Sequence, residues 1–168
     1  LFVAQCIRFW PAYAKARELT AGKSLGRLIS AVFTRVSRRP IWSWNNWYED
    51  PRNSGGCALD LHIHDADFLL YLLGAPESVQ SRAVLNPRTG PDHITTQYHY
   101  ASGAFVQAEG AWEYNAAFPF SMSFRLAFEK GTLHWAGGDL LLCPLKGSAR
   151  KVSIAAGDGY FHELRHFT

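Results

Sequence analysis

The stretch from Gly56 to Leu73 constrains this chain more than any other. Leu59, Ile63, Ala66, Leu70 and Leu73 follow one another at steps of four, three, four and three, the spacing of one face of an α-helix. Asn53 or Ser54 can cap its start. Gly74 and Pro76 end it, because glycine reaches the left-handed cap and proline cannot continue the ladder. Beyond Gly74 the period changes. Segments 77–86, 93–100, 104–114, 121–129, 132–135 and 140–143 read as strands, separated by turns at 87–90, 101–103, 129–131 and 137–139. In 121–129 the alternation is clear, with Met122, Phe124, Leu126 and Phe128 on one side and Ser123, Arg125 and Ala127 on the other.

Ahead of the helix, residues 1–9 read as a short strand ending at Arg8. Pro11 opens a helix to about Ala21, stopped by Gly22. Residues 27–36 are rich in β-branched and aromatic types and read as a long strand. Residues 38–55 hold Pro40, Pro51, Trp42, Trp44 and Trp47 and read as a long irregular loop, a kind of segment that is usually functional. Helices first and antiparallel strands afterwards make an α+β layout. The expected form is an open, predominantly antiparallel sheet with helices packed on one face, whose other face calls for a partner. The 168 residues suit one domain. Because the chain starts inside an apparent strand and stops inside an apparent helix, residues 1–168 are expected to be a domain fragment.

Charge and cysteine content narrow the function classes. The net charge of +3 is mild, and the basic residues are scattered apart from Arg35, Arg38 and Arg39, which read as a solvated strand end. No basic stripe suggests nucleic acid. Cys6, Cys57 and Cys143 are far apart and odd in number, which argues for free thiols, a reducing compartment and a cytoplasmic location. The longest nearly apolar run, 68–75, is too short to span a bilayer, so no membrane partner is expected.

The run Ser54-Gly55-Gly56-Cys57-Ala58-Leu59-Asp60-Leu61-His62-Ile63-His64-Asp65-Ala66-Asp67 carries the chemistry. Four apart on a helix, Asp60 and His64 are neighbours, and a carboxylate beside an imidazole can fix its tautomer and raise its basicity. Asp67 and Tyr71 continue that stripe. The plainer reading, favoured on spacing alone, makes these the polar flank of an amphipathic helix. A metal site at His62 and His64, with Asp65 and Asp67, is a weaker alternative, because residues two apart diverge on a helix. The Trp- and Asn-rich loop suits a sugar, since flat rings stack on sugar faces while amides bond hydroxyls; packing over the helix explains it equally well. Arg8 suits an anionic group or, preferably, a brace to a carboxylate. Gly137-Gly138 reads as a hairpin turn, and His162, Glu163 and His166 as surface.

The chain resembles the C-terminal domain of the Gfo/Idh/MocA oxidoreductases. The resemblance rests on Arg8-Phe9-Trp10-Pro11, Gly22-Lys23-Ser24-Leu25-Gly26, Trp47, Asp50-Pro51, Ser54-Gly55-Gly56 with Asp60 and His64, Asp67, Leu72-Leu73-Gly74, Glu129-Lys130-Gly131-Thr132-Leu133 and the closing segment Tyr160 to Phe167. It implies Asp60 and His64 as catalytic residues, with Arg8 and Trp47 as substrate-binding candidates and no metal. It also implies a parent enzyme that uses NAD or NADP on a sugar or polyol, with His64 as base, and that forms a homo-oligomer through the sheet. The family's glycine-rich nucleotide loop and Glu-Lys-Pro motif do not occur here: Glu129-Lys130 is followed by Gly131. No cofactor is therefore expected on this chain alone, nor activity from it. A non-catalytic association sheet and a metal-dependent hydrolase are the rival readings.

Overall fold

A computed structural model describes residues 3–168. Residues 1 and 2 of the expected first strand lie outside the described residues, and its remainder is not a strand: Cys6–Phe9 forms a 3-10 turn. The alternation there is weak, and the turn leads straight into Pro11, whose fixed φ suits a first helical turn. Helix α1 (Pro11–Ala21) comes next, as the sequence predicts, burying Ala12, Tyr13 and Ala16. Strand β1 (Leu28–Arg38) succeeds it. The long loop is more ordered than expected. It holds a 3-10 segment at Trp44–Glu49, with Asn45 and Asn46 in the left-handed region, and one turn of helix, α2 (Pro51–Ser54), capped by Asp50.

The helix predicted over 56–73 is present but not uniform. Ala58–His62 is a π-helical turn, after which α3 (Ile63–Leu73) is regular and ends at Gly74 with φ 82°. A π-turn inserts a residue into the ladder and so rotates the side chains on its N-terminal side relative to those on its C-terminal side. The buried face also differs from the predicted stripe. Leu59 is 63% exposed and Leu70 47%, whereas Leu61, Asp65, Phe68 and Leu69 face the sheet. The segment carries leucines on two faces, and periodicity alone does not say which one meets the core. Nor does Asn53 or Ser54 cap it; Ser54 Oγ instead accepts from Gly56 N and donates back to the loop carbonyls.

The remaining strands are β2 (Ser78–Asn86), β3 (Gly90–His99), β4 (Phe105–Tyr114), β5 (Ser121–Phe128), β6 (Gly131–Trp135), β7 (Leu141–Pro144) and a short β8 (Arg150–Lys151). Helix α4 (Gly159–Phe167), capped by Asp158, ends the chain. The sheet order is β2-β3-β4-β1-β5-β6-β7-β8. Only the β1–β4 pair is parallel. That pairing requires a crossover, which the loop and α3 supply, and it places α3 over the centre of the sheet.

The core lies between the helices and one sheet face. Tyr13 sits at its centre, with ring centroids 4.9 Å from Phe68, 4.9 Å from Phe124 and 5.5 Å from Trp135, all edge-on. Such pairs add about 0.5–1.5 kcal/mol each beyond the area they bury. Arg35 is not the solvated strand end that its neighbours suggest. It is buried, and its Nε and Nη2 donate to Asp65 Oδ2 and Oδ1 at 3.1 and 3.0 Å, with Nη2 also 3.3 Å from the Tyr13 hydroxyl. Arg39 pairs with Asp92, which also accepts from Trp112 Nε1, Asn86 and Thr89. Close helix–sheet contact requires glycine at Gly110, where an added Cβ would stand 2.7 Å from the Cβ of His62.

Candidate active site

Beside α3, between the end of β1 and the 3-10 turn at 6–9, lies a cavity of about 460 Å3. Its walls include Asp60, His64 and Leu61 from the helix, Arg35, Ser37 and Arg38 from β1, and Tyr48 from the loop. Trp10, Trp42, Phe120 and Tyr160 supply an aromatic lining. Its volume falls within the roughly 300–1,000 Å3 of ordinary ligand sites, and an apolar wall with few polar groups is their usual composition.

Asp60 and His64 reach this one cavity, although among the described residues no hydrogen bond joins them. Asp60 is held from the other side: the Tyr48 hydroxyl donates to its Oδ1 at 2.9 Å. Tyr48 is itself fixed by Trp47 stacked at 4.2 Å, by Trp112 edge-on at 5.9 Å, and by Ser54 Oγ donating to its carbonyl. Burial pushes the Asp60 carboxyl up, and the Tyr48 hydrogen bond opposes that shift. The phenol is pushed up to about 12 by burial and by the same carboxylate, so it stays a donor.

His64 is uncharged at neutral pH. Burial and, after it, the Arg35 charge together lower it to about 4, with Asp67 opposing. Its Nδ1 is buried without a hydrogen-bond partner. That buried nitrogen is out of a ligand's reach, so a neutral imidazole here would accept a proton from a bound hydroxyl through Nε2.

The other candidates go elsewhere. Arg8 makes a two-pronged ion pair with Asp67 (Nε to Oδ2, 2.7 Å) and stacks over Tyr71 at 4.7 Å, so it braces the 6–9 turn against α3 outside the cavity. Trp47 backs Tyr48 rather than lining the cavity, where Trp42 and Trp10 stand instead. His62 points to the sheet, with Nε2 2.9 Å from Thr96 Oγ1, while Asp65 is taken by Arg35 and Asp67 by Arg8. These four directions leave no group of three metal-ligating side chains among the described residues. Tyr48, Trp10 and Arg38 were not legible as site residues. Tyr48 stands twelve positions before Asp60, a separation with no local periodicity behind it, and only its place in an aromatic loop marks it.

Comparison with known proteins agrees with this architecture. The model of the GFO/IDH/MocA C-terminal domain matches residues 13–134. The chain belongs to the Gfo/Idh/MocA family of oxidoreductases, as a C-terminal domain. It is 27% identical over 119 residues to Oxidoreductase P35 of Formosa agariphila, a match covering 68% of this chain and 36% of that protein. Its fold is that of levoglucosan dehydrogenase, solved in complex with NADH and levoglucosan (TM-score 0.79, 18% identity, 98% of this chain and 54% of that one). It is likewise that of UDP-N-acetylglucosamine 3-dehydrogenase GnnA from Acidithiobacillus ferrooxidans (TM-score 0.76, 18% identity, 99% of this chain and 50% of that one). The chain thus spans about half the length of these structures and about a third of the curated relative. Among the described residues no helix is long and apolar enough to cross a membrane.

Proposed function

We propose that this chain is the substrate side of a nicotinamide-dependent dehydrogenase acting on a sugar or polyol, with His64 as the base. The observation that carries the reading is the convergence of Asp60 and His64 on one aromatic-lined cavity. Family membership and the dehydrogenase neighbours support it. His64 takes the proton of the reacting hydroxyl as that carbon gives up hydride and becomes a carbonyl. Asp60, oriented by Tyr48, accepts from a substrate hydroxyl and offsets the charge that His64 acquires. Trp10, Trp42 and Tyr160 stack on the ring and exclude water.

An NAD or NADP nicotinamide fits this donor set, because a neutral imidazole and a carboxylate in an apolar cavity suit alcohol oxidation; when bound, it supplies the hydride acceptor. This chain carries no glycine-rich nucleotide loop, so it meets the cofactor only at the cavity. The isolated chain should accordingly show no turnover. The test is a screen of sugars and polyols with the full-length protein, monitored by nicotinamide absorbance. His64→Ala should lower turnover about 10²–10⁴-fold. An unaltered rate removes His64 from the reaction, and turnover by the 168-residue chain alone refutes the division of labour.

The open sheet face supports a further assignment, a homo-oligomer paired through the sheet, and the three free cysteines support a cytoplasmic location. Val84 is 64% exposed there and Phe105 49%, beside Gln97 and Gln107. Sedimentation of the full-length protein tests it: a monomer at micromolar concentration rules it out.

A further inference from the structure

We infer that Arg38 is an anion anchor in this cavity, so that the sugar it takes carries an acidic substituent, a carboxylate or a phosphate. The inference rests on the sugar-binding reading above and narrows it.

Strand geometry gives the first argument. Alternation along β1 directs Ala31, Phe33, Arg35 and Ser37 to the helix face and leaves Val32, Thr34 and Val36 on the other. Arg38 belongs by parity with the second set. It nevertheless lines the cavity with Arg35 and Ser37, at the end of β1 where β4 bulges and sets both Glu113 and Tyr114 opposite Arg38. The extra residue belongs to β4, and the regular β1–β4 ladder ends at Arg38.

Charge gives the second. Two cations line the cavity, Arg35 and Arg38, and Arg35 is paired with Asp65. Arg38 makes a single hydrogen bond, from Nη1 to the Ala116 carbonyl at 3.2 Å. Among the described residues it has no carboxylate partner, and Asp60, in the same cavity, makes no ion pair with it. Arg35 is neutralised by Asp65, so Arg38 is the uncompensated cation of this wall. The carbonyl fixes one nitrogen of the guanidinium and leaves donors for a planar carboxylate or a phosphate, geometries that this fork matches. Asp60 and Arg38 stand on different elements, α3's π-turn and the end of β1, which lets one wall take hydroxyls while the other takes the anion.

The test uses the full-length protein, in which Trp10 and Trp42 of the cavity report occupancy by fluorescence. It is titrated with D-glucuronate, D-glucose 6-phosphate and D-glucose at fixed ionic strength. Glucuronate or glucose 6-phosphate should bind at least tenfold more tightly than glucose, and the stronger of the two tells a carboxylate site from a phosphate site. Arg38→Gln should lower affinity for the acidic sugar at least tenfold more than for glucose, and Arg38→Lys should keep part of the preference. Glucose binding as tightly as both acidic sugars overturns the anion anchor and leaves the sugar-binding reading standing. An equal loss of all three ligands in Arg38→Gln also overturns it. Binding of none of them overturns both.

Discussion

Tyr48 donates to Asp60 Oδ1 at 2.9 Å, so the carboxylate that helical spacing pairs with His64 is oriented by a tyrosine from the preceding loop. A hydrogen bond to a charged group is worth about 1.5–3 kcal/mol. Tyr48→Phe removes the contact that opposes the upward shift of Asp60. The acid limb of the full-length enzyme's pH profile should therefore move to higher pH, and kcat/KM should fall about tenfold or more. An unmoved acid limb would show that Asp60 does not need to be ionised for the reaction.

The Arg35–Asp65 pair is the costliest contact to break. Their side chains are 3% and 0% exposed, and removing one partner strands the other charge in the core. Asp65→Ala should cost about 3–5 kcal/mol, read by urea denaturation of the isolated chain. Arg35→Met combined with Asp65→Leu should recover a large part of that loss, since no charge is then left unpaired.

Acid should destabilise the fold through two histidines. His62 and His64 are both lowered to about 4 from 6.5, chiefly by burial. The unfolded chain therefore takes up protons between about pH 6.5 and 4 that the folded chain refuses, and stability falls as pH drops through that window. The slope is about 1.4 kcal/mol per pH unit per histidine at most. His62→Gln should remove about half of it, measured as urea midpoints across the same pH range.

The three free cysteines should differ in reactivity. Cys57 is buried and its thiol is pushed up to about 12 by burial, with Asp92 adding to the shift; burial also raises Cys6. Cys143 is partly exposed on β7. A chromogenic disulfide reagent should label one thiol quickly in the native chain, and Cys143→Ser should abolish that phase. Rapid labelling of Cys57 would contradict its burial at the start of the π-turn, against the Gly110 carbonyl.

Packing of α3 on the sheet should depend on Gly110. A methyl group there meets His62 Cβ at 2.7 Å and its Cα at 3.0 Å, and neither is a flexible chain end. Gly110→Ala should cost about 1–3 kcal/mol in denaturant unfolding.

Much of this arrangement is legible in the residues themselves. The strands after Gly74 appear close to where alternation and turn residues put them, and α1 begins at Pro11 as expected. The acid and imidazole of the candidate site are marked by spacing, and both do reach one cavity. Orientation is where the pattern fails. It assigns the α3 stripe to the wrong face, because leucines occupy two faces and a π-turn breaks the period. It places Arg35 in solvent, because its partner Asp65 is thirty residues away.

Sequence alone determined the elements and their ends, since these depend on interactions within a few residues: side-chain period, proline's fixed φ, glycine's access to positive φ. Tertiary structure decided which face of α3 is buried, that β1 runs between β4 and β5, that Tyr48 holds Asp60, and that Arg38 lines the same cavity as Asp60 and His64. Each of these joins residues distant in the chain, and their energies depend on which surfaces meet, a quantity that no local pattern encodes.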